Sequence, residues 1–311
     1  MGQVRNLPVL FASLGAAVIA LHSLPCRAEG AGGPAAPAAP EKLAAKPEDG
    51  NIVDGVYSNP YFGLRYPLPP GWQQGLEGPP SSPSGYYVLN SPDAPDKDHP
   101  SATLLISAQD MFFDARPMAT ATATAAEMRE SAGRIDGLKA DTPPSEVTLA
   151  GRSFARVDIG GAALSRIILA TDIRCHVLSF TFASPDRELL EKLAASVDAA
   201  TLPKEASATG TGSGETDSPF PVCIKDYASD EHVLHRVEPT RVGSRFLKIA
   251  ARIIIGTDGR VKHIHVIQAE PDQAKNIEDA LAQWEFKPYA LDGHPVEVET
   301  GLLFEFKRTP G

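Results

Sequence analysis

The amino-acid sequence predicts an α+β protein built from two globular blocks. Three observations lead there: strand-like alternation over most of the chain, only a few segments with helical spacing, and a Gly/Ser/Thr-rich break at 204–218. A length of 311 residues suits two domains of about 100 to 200 residues better than one. Apolar residues at 42% and charged residues at 22% are enough to bury real cores, which excludes a wholly disordered chain. The 29 basic against 39 acidic side chains give a net charge of −10, so the basic footprint of a nucleic-acid binder is missing and no nucleic-acid partner is expected.

Residues 1–28 read as a secretory signal peptide. Arg5 precedes an uncharged apolar run, Leu7 to Leu24, and Arg27-Ala28 closes a segment with small residues at the cut. Export to the periplasm is expected. The alternative is retention as an inner-membrane anchor, because the 18-residue run is just long enough to span a bilayer. Residues 29–52, with Pro34, Pro37 and Pro40 among alanines, read as a disordered Ala/Pro-rich tether, since frequent proline blocks helix and there is little apolar bulk to bury.

The first block is expected over 53–203. Tyr57 to Tyr66 predicts two short strands around Asn59-Pro60, and Tyr86 to Leu89 and Thr103 to Ser107 predict two more. Met118, Ala121, Ala125, Met128 and Ile135 fall near helical spacing. Strands are then predicted over Val147–Leu149, Phe154–Ile159, Leu164–Thr171 and Cys175–Phe182. Ser184 is the expected cap of a closing helix with Pro185 at its first position and Leu189, Leu190, Leu193 and Val197 as its buried stripe. Strands, a helix, a strand meander and a closing helix make an antiparallel-sheet α/β sandwich. The aromatic hairpin, Gly63, the Pro70-Gly71-Trp72 triplet and the final helix resemble a PsbP-like domain.

The linker at 204–218 carries spaced glycines, but a phosphate cradle needs a strand before and a helix after, and neither flanks it. The second block, 219–311, is clearer. Phe246 to Ile255 and Val261 to Ile267 predict a hairpin around Gly256-Thr257-Asp258-Gly259. Ile277, Leu281 and Trp284 predict a helix across the sheet. Val296, Val298, Leu302, Phe304 and Phe306 line one face of a long last strand at period two. The order is β-β-α-β. Ile255 to Val261, Ala280 to Pro288 and Asp292 to Val296 resemble the C-terminal domain of the TonB family of periplasmic energy transducers, over about 219–307. That resemblance implies docking of an extended peptide by strand addition. The chain departs from transducers proper in placing Ser13 and His22 nine apart, where those proteins place a Ser and a His four apart.

Catalytic signatures are missing. No Gly-x-Ser-x-Gly elbow occurs, and Glu231-His232-Val233-Leu234-His235 has the wrong order for a zinc peptidase. No enzyme activity and no cofactor are expected. His263 and His265 share one strand face and would ligate a metal if a third ligand approached; the plainer expectation is that they fill the solvent face. After export two cysteines remain, Cys175 and Cys223, either bridged across the linker or, as the leading expectation, unrelated thiols.

The expected function is therefore that of an exported, periplasmic protein-interaction adaptor of a Gram-negative envelope. Its partners would be envelope proteins, outer-membrane receptors among them, with membrane contact only if residues 1–28 are retained. The last strand is the expected docking edge, and Val298, Leu302, Leu303, Phe304 and Phe306 are the expected contacts. Two alternatives stand beside it: a membrane-anchored TonB-type energy transducer for outer-membrane transport, and a metal-binding protein using His263 and His265.

Overall fold

In the computed structural model the described residues are 45–75, 78, 81–96, 101–113, 120–135, 137–140, 142–204, 220–240, 242–243 and 245–306. All belong to one compact unit. The expected signal peptide, residues 29–44 of the expected tether and residues 205–218 of the expected linker lie outside the described residues. No described helix is long and apolar enough to cross a membrane.

The tether ends earlier than expected, because residues 45–52 already belong to the fold. Strands β1 (Asn51–Val53) and β2 (Val56–Asn59) form a hairpin whose two-residue loop, Asp54-Gly55, has positive φ at both positions (50° and 73°). Asp-Gly is the pair such a loop favours, since its twist matches that of the strands. Asn59 Nδ2 donates to the Pro47 carbonyl (2.8 Å) and holds the segment down. Strand β3 (Leu64–Pro67) completes this small sheet.

A seven-stranded antiparallel sheet follows. Its strands are β4 (Tyr86–Asn90), β5 (Thr103–Asp110), β6 (Leu138–Lys139), β7 (Ser145–Leu149), β8 (Arg152–Gly161), β9 (Ser165–Ile173) and β10 (His176–Ser184). They lie in the order β4-β5-β10-β9-β8-β6, with β7 also paired to β8. Helix α1 (Ala121–Gly133) is capped by Thr120, whose Oγ1 accepts from Ala123 N–H, and by Asp172, whose Oδ1 accepts from Ala121 N–H. Ile135 lies beyond the helix end and is exposed, so the expected apolar face stops short of it. Helix α2 (Arg187–Ala195) is capped by Asp186 in place of the expected Ser184. Asp186 Oδ1 accepts from Glu188 and Leu189 N–H, whereas Ser184 is buried and donates to the Ser101 carbonyl. Leu190, Leu193 and Val197 close the core as expected.

The second block contributes β11 (Val222–Cys223), β12 (Val233–His235), β13 (Lys248–Ile255), β14 (Val261–Ile267), α3 (Pro271–Leu281), β15 (Glu285–Phe286), β16 (Ala290–Leu291), β17 (His294–Pro295) and β18 (Val298–Glu305). Its main sheet runs β11-β18-β13-β14. The β13–β14 hairpin turns at Gly259, where φ is +80° and a Cβ would lie 2.2 Å from the Phe286 carbonyl oxygen. Pro271 opens α3, and Gln273 Oε1 reaches back to accept from Glu270 N–H. Ile249, Ala251, Ile253 and Ile255 of β13 pack against Ile277, Leu281 and Trp284. Trp284 lies past the helix end and donates its indole N–H to the Val237 carbonyl (2.7 Å).

The other face of this sheet is also covered, and that merges the two expected domains. Ala250 and Ile267 belong to the first block's core. Burial on both faces is why β13 carries an almost unbroken apolar run, with Arg252 as its interruption.

Candidate docking edge

Strand β18 is paired to β13 along its whole length, from Ile255 opposite Val298 to Lys248 opposite Glu305. In an antiparallel ladder, alternate residues turn their N–H and C=O toward opposite neighbours. Phe306 N–H donates to the Leu247 carbonyl (2.7 Å), so even-numbered residues of β18 bond to β13 and odd-numbered ones face outward. Strand β11 takes the first outward groups: Val222 N–H donates to the Glu297 carbonyl (2.8 Å) and Ile224 N–H to the Glu299 carbonyl (3.1 Å). Thr300 Oγ1 then donates to the Lys225 carbonyl (3.1 Å), and the chain leaves the edge. Gly301, Leu303 and Glu305 present their outward N–H and C=O groups beyond that point, with no hydrogen-bond partner among the described residues.

A hollow flanks this open stretch on each side. On the α3 side, about 350 Å³ is lined by Trp284, Arg236, Glu238, Asp226 and Ser229. Arg236 lies 4.9 Å from the Trp284 ring centroid and pairs with Asp230 at 2.8 Å. On the first-block side, about 340 Å³ is lined by Pro83, Phe112, Phe113 and Leu303.

The five residues expected to contact a partner fall differently. Val298 and Phe304 are buried, and Leu302 and Phe306 pack half-buried in the same α3-side core. Leu303 alone is open, 51% exposed. Period-two alternation marks the face that the helix covers; the open backbone groups belong to the intervening residues, which alternation does not single out.

Beneath the edge, a buried polar cluster joins the two blocks. Arg252 Nη1 pairs with Asp110 Oδ2 at the end of β5, and Arg252 Nη2 lies 2.9 Å from Glu299 Oε1. Tyr61 O–H donates to Glu299 Oε1 (3.0 Å), Arg174 Nη1 donates to the Tyr61 carbonyl (2.9 Å), and Phe112 N–H donates to Asp110 Oδ1 (2.7 Å). Burial pushes the Asp110 carboxyl up from its ordinary value, with the Arg252 charge offsetting only part of that. Burial would lower the Arg252 pKa, but Asp110, Tyr61 and Glu299 outweigh it and hold the guanidinium charged. His176 Nε2 lies 3.8 Å from Asp110, yet it forms no ion pair: burial, then the Arg252 charge, push its pKa well below the ordinary value and keep the ring neutral. The β9–β10 turn beside this cluster has positive φ at two non-glycine residues, Arg174 (45°) and Cys175 (58°). Such a conformation costs about 1 to 2 kcal/mol per residue, and the surrounding contacts hold it in place.

The cysteines are bridged, contrary to the leading expectation of separate thiols: Cys175 and Cys223 form a disulfide with their Cα atoms 5.6 Å apart. Folding brings the β9–β10 turn onto β11, an approach that a separation of 48 residues does not reveal. His263 and His265 do not line a solvent face. They alternate with Ile264 and share the side of Ile267, which packs in the first block's core. His265 stacks on Tyr87 with ring centroids 6.4 Å apart, and its Nε2 lies 3.5 Å from Glu48. Burial pushes the Glu48 carboxyl up, but the hydrogen bond and charge of His265 outweigh it and leave the pKa below its ordinary value. Among the described residues no set of three His, Cys, Asp or Glu comes together around a metal-sized site.

Sequence reasoning missed Asp110, Arg252, Glu299, Gly301, Phe112 and Phe113. Two signals were present: a lone arginine inside an Ile-rich strand, and a glycine inside the last strand, where glycine marks close approach of another group.

The chain is α+β, mostly antiparallel, with three α-helices among the described residues. No protein-family model matches it, the TonB family included, and no curated protein sequence matches it. Among solved structures it is similar to cyanobacterial PsbP (CyanoP) from Synechocystis sp. PCC 6803, with 14% identity over 55% of this chain and 99% of that one, at a TM-score of 0.34. It is also similar to LpqN, described as involved in cell envelope biogenesis of Mycobacterium tuberculosis, with 13% identity over 45% and 82% of the two chains and a TM-score of 0.28. Likenesses at this level leave the fold family open.

Proposed function

We propose that this protein is an exported, non-enzymatic adaptor of the cell envelope that accepts an extended peptide segment of an envelope partner as an added strand on β18. The observation that carries the reading is the open ladder at Gly301, Leu303 and Glu305 beside β11. An edge of this kind is matched by an extended chain through backbone hydrogen bonds, each netting about 0.5 to 1.5 kcal/mol. The other edge strand, β14, carries exposed Lys262, the kind of charge that blunts an edge, whereas β18 carries exposed Leu303. Export is supported by the apolar run at Leu7 to Leu24 and by the disulfide, since disulfides persist in oxidising compartments. Binding is favoured over catalysis because Asp110, His176, Arg252 and Glu299 are sealed between the blocks, where no substrate reaches them.

Hydrogen exchange on the exported protein tests the reading. The amides of Gly301, Leu303 and Glu305 exchange freely alone and become protected when a labelled Thr/Val-rich extended peptide binds. Leu303→Pro removes the central outward N–H and lowers that affinity at least about tenfold, or 1.4 kcal/mol, with an unchanged urea midpoint. Equal peptide affinity in Leu303→Pro, or a mature N-terminus other than Glu29, refutes the corresponding half.

A further inference from the structure

The open edge is not symmetrical about its two faces. An added strand would continue the row that β11 begins and then abandons at Lys225, and its side chains would alternate between the two hollows. On the α3 side they meet Trp284 behind a charged rim of Arg236 and Glu238. On the other side they meet Phe113, Pro83 and Leu303, with Lys225 and Asp226 bordering both hollows. Gly301 lies on that second face, and a Cβ there would be 2.6 Å from Phe112 Cβ and 3.0 Å from Phe113 Cζ. The sheet therefore presses bare backbone against the first block, and Gly301 offers no side chain to a cross-strand neighbour. Phe112 and Phe113 already cover the Gly301 backbone on this face, so a residue added directly opposite would lie beside the Phe113 ring and Pro83 in the apolar part of that hollow.

We propose that the first block supplies the selective wall of the docking edge, so that the partner segment is an extended strand carrying a large apolar residue opposite Gly301, against Phe113 and Pro83, with polar residues at its alternate positions. This inference rests on the docking reading above and adds the chemistry of the occupant. It also gives the first block a direct part in recognition. Phe113 is half-buried and Pro83 is exposed, so both are in reach of an incoming side chain.

The test uses the full exported chain and labelled short peptides of alternating threonine and charged residues, with one central position varied among Ala, Leu, Phe and Asp, read by fluorescence anisotropy. Phe or Leu is expected to bind at least about tenfold tighter than Ala, and Asp weakest. Phe113→Ser brings the Phe-to-Ala ratio to within about twofold. Pro83→Glu, at an exposed position, lowers the same ratio and serves if Phe113→Ser does not fold. Peptides that bind with no preference at the varied position, or a preference that survives both substitutions, overturn the proposal and leave strand docking standing. Absence of any peptide binding overturns both. Self-association that Leu303→Pro abolishes and peptides do not displace assigns the edge to a second copy of this chain, and overturns the proposal too.

Discussion

Arg252→Met removes one cation that two buried carboxylates share. Asp110 is fully buried and the Glu299 side chain is 3% exposed, and they come from different blocks. Breaking a buried pair by deleting one partner costs about 3 to 5 kcal/mol, because the charge left behind has lost its compensation. That is a large share of the 5 to 15 kcal/mol typical of a folded domain. With a urea m-value of about 1 to 3 kcal/mol/M, the midpoint falls by about 1 M or more. The loss should also depend on pH. Without the guanidinium the buried Asp110 carboxyl loses the charge that offsets its burial, and its folded pKa rises further above its unfolded value, so the folded variant binds a proton more readily than the unfolded chain. Its stability relative to the natural protein then recovers as pH falls from 7 toward 5. Urea unfolding followed by tryptophan fluorescence at several pH values reads both effects. A loss below about 1 kcal/mol at pH 7, or one that stays constant with pH, refutes the reasoning.

Three further outcomes follow from the same seam. Replacing Cys175 and Cys223 by serine, which opens a crosslink spanning 48 residues, lowers stability by about 4 kcal/mol in the chain-entropy treatment, read as a lowered urea midpoint; an unchanged midpoint contradicts the crosslink. Gly301→Val drives a branched side chain into Phe112 and Phe113 and costs about 1 to 3 kcal/mol, the range for overpacking, in thermal unfolding, while Thr at exposed Leu303 stays within about 0.5 kcal/mol. The imidazole of His176 stays neutral when folded but takes up a proton near pH 6.5 when unfolded, so the unfolded chain holds more protons below that pH. Stability therefore declines as pH drops below about 6.5, by up to about 1.4 kcal/mol per unit from this group, and His176→Asn flattens that part of the profile.

Elements with a strong local signal were legible in the sequence. The β13–β14 hairpin follows from Gly256 to Gly259, α2 from its leucine stripe, and β18 from alternation at Val298, Leu302, Phe304 and Phe306. Each lies where neighbours along the chain decide the backbone. The helix α2 cap was misread because Ser184 and Asp186 are both good caps, and a tertiary hydrogen bond to the Ser101 carbonyl engages the serine. The contact residues were misread for a related reason: alternation reports that two faces differ, without saying what lies against either one.

Composition and periodicity by themselves determined the α+β class, the acidic charge and the existence of a final strand, because these depend on residues near one another in the chain. Only the tertiary structure decided that the two blocks share a seam, that Arg252 sits between Asp110 and Glu299, that Cys175 meets Cys223, and that the ladder opens at Gly301. Each of those depends on groups far apart in sequence, and the packing that brings them together leaves no periodic trace in either partner.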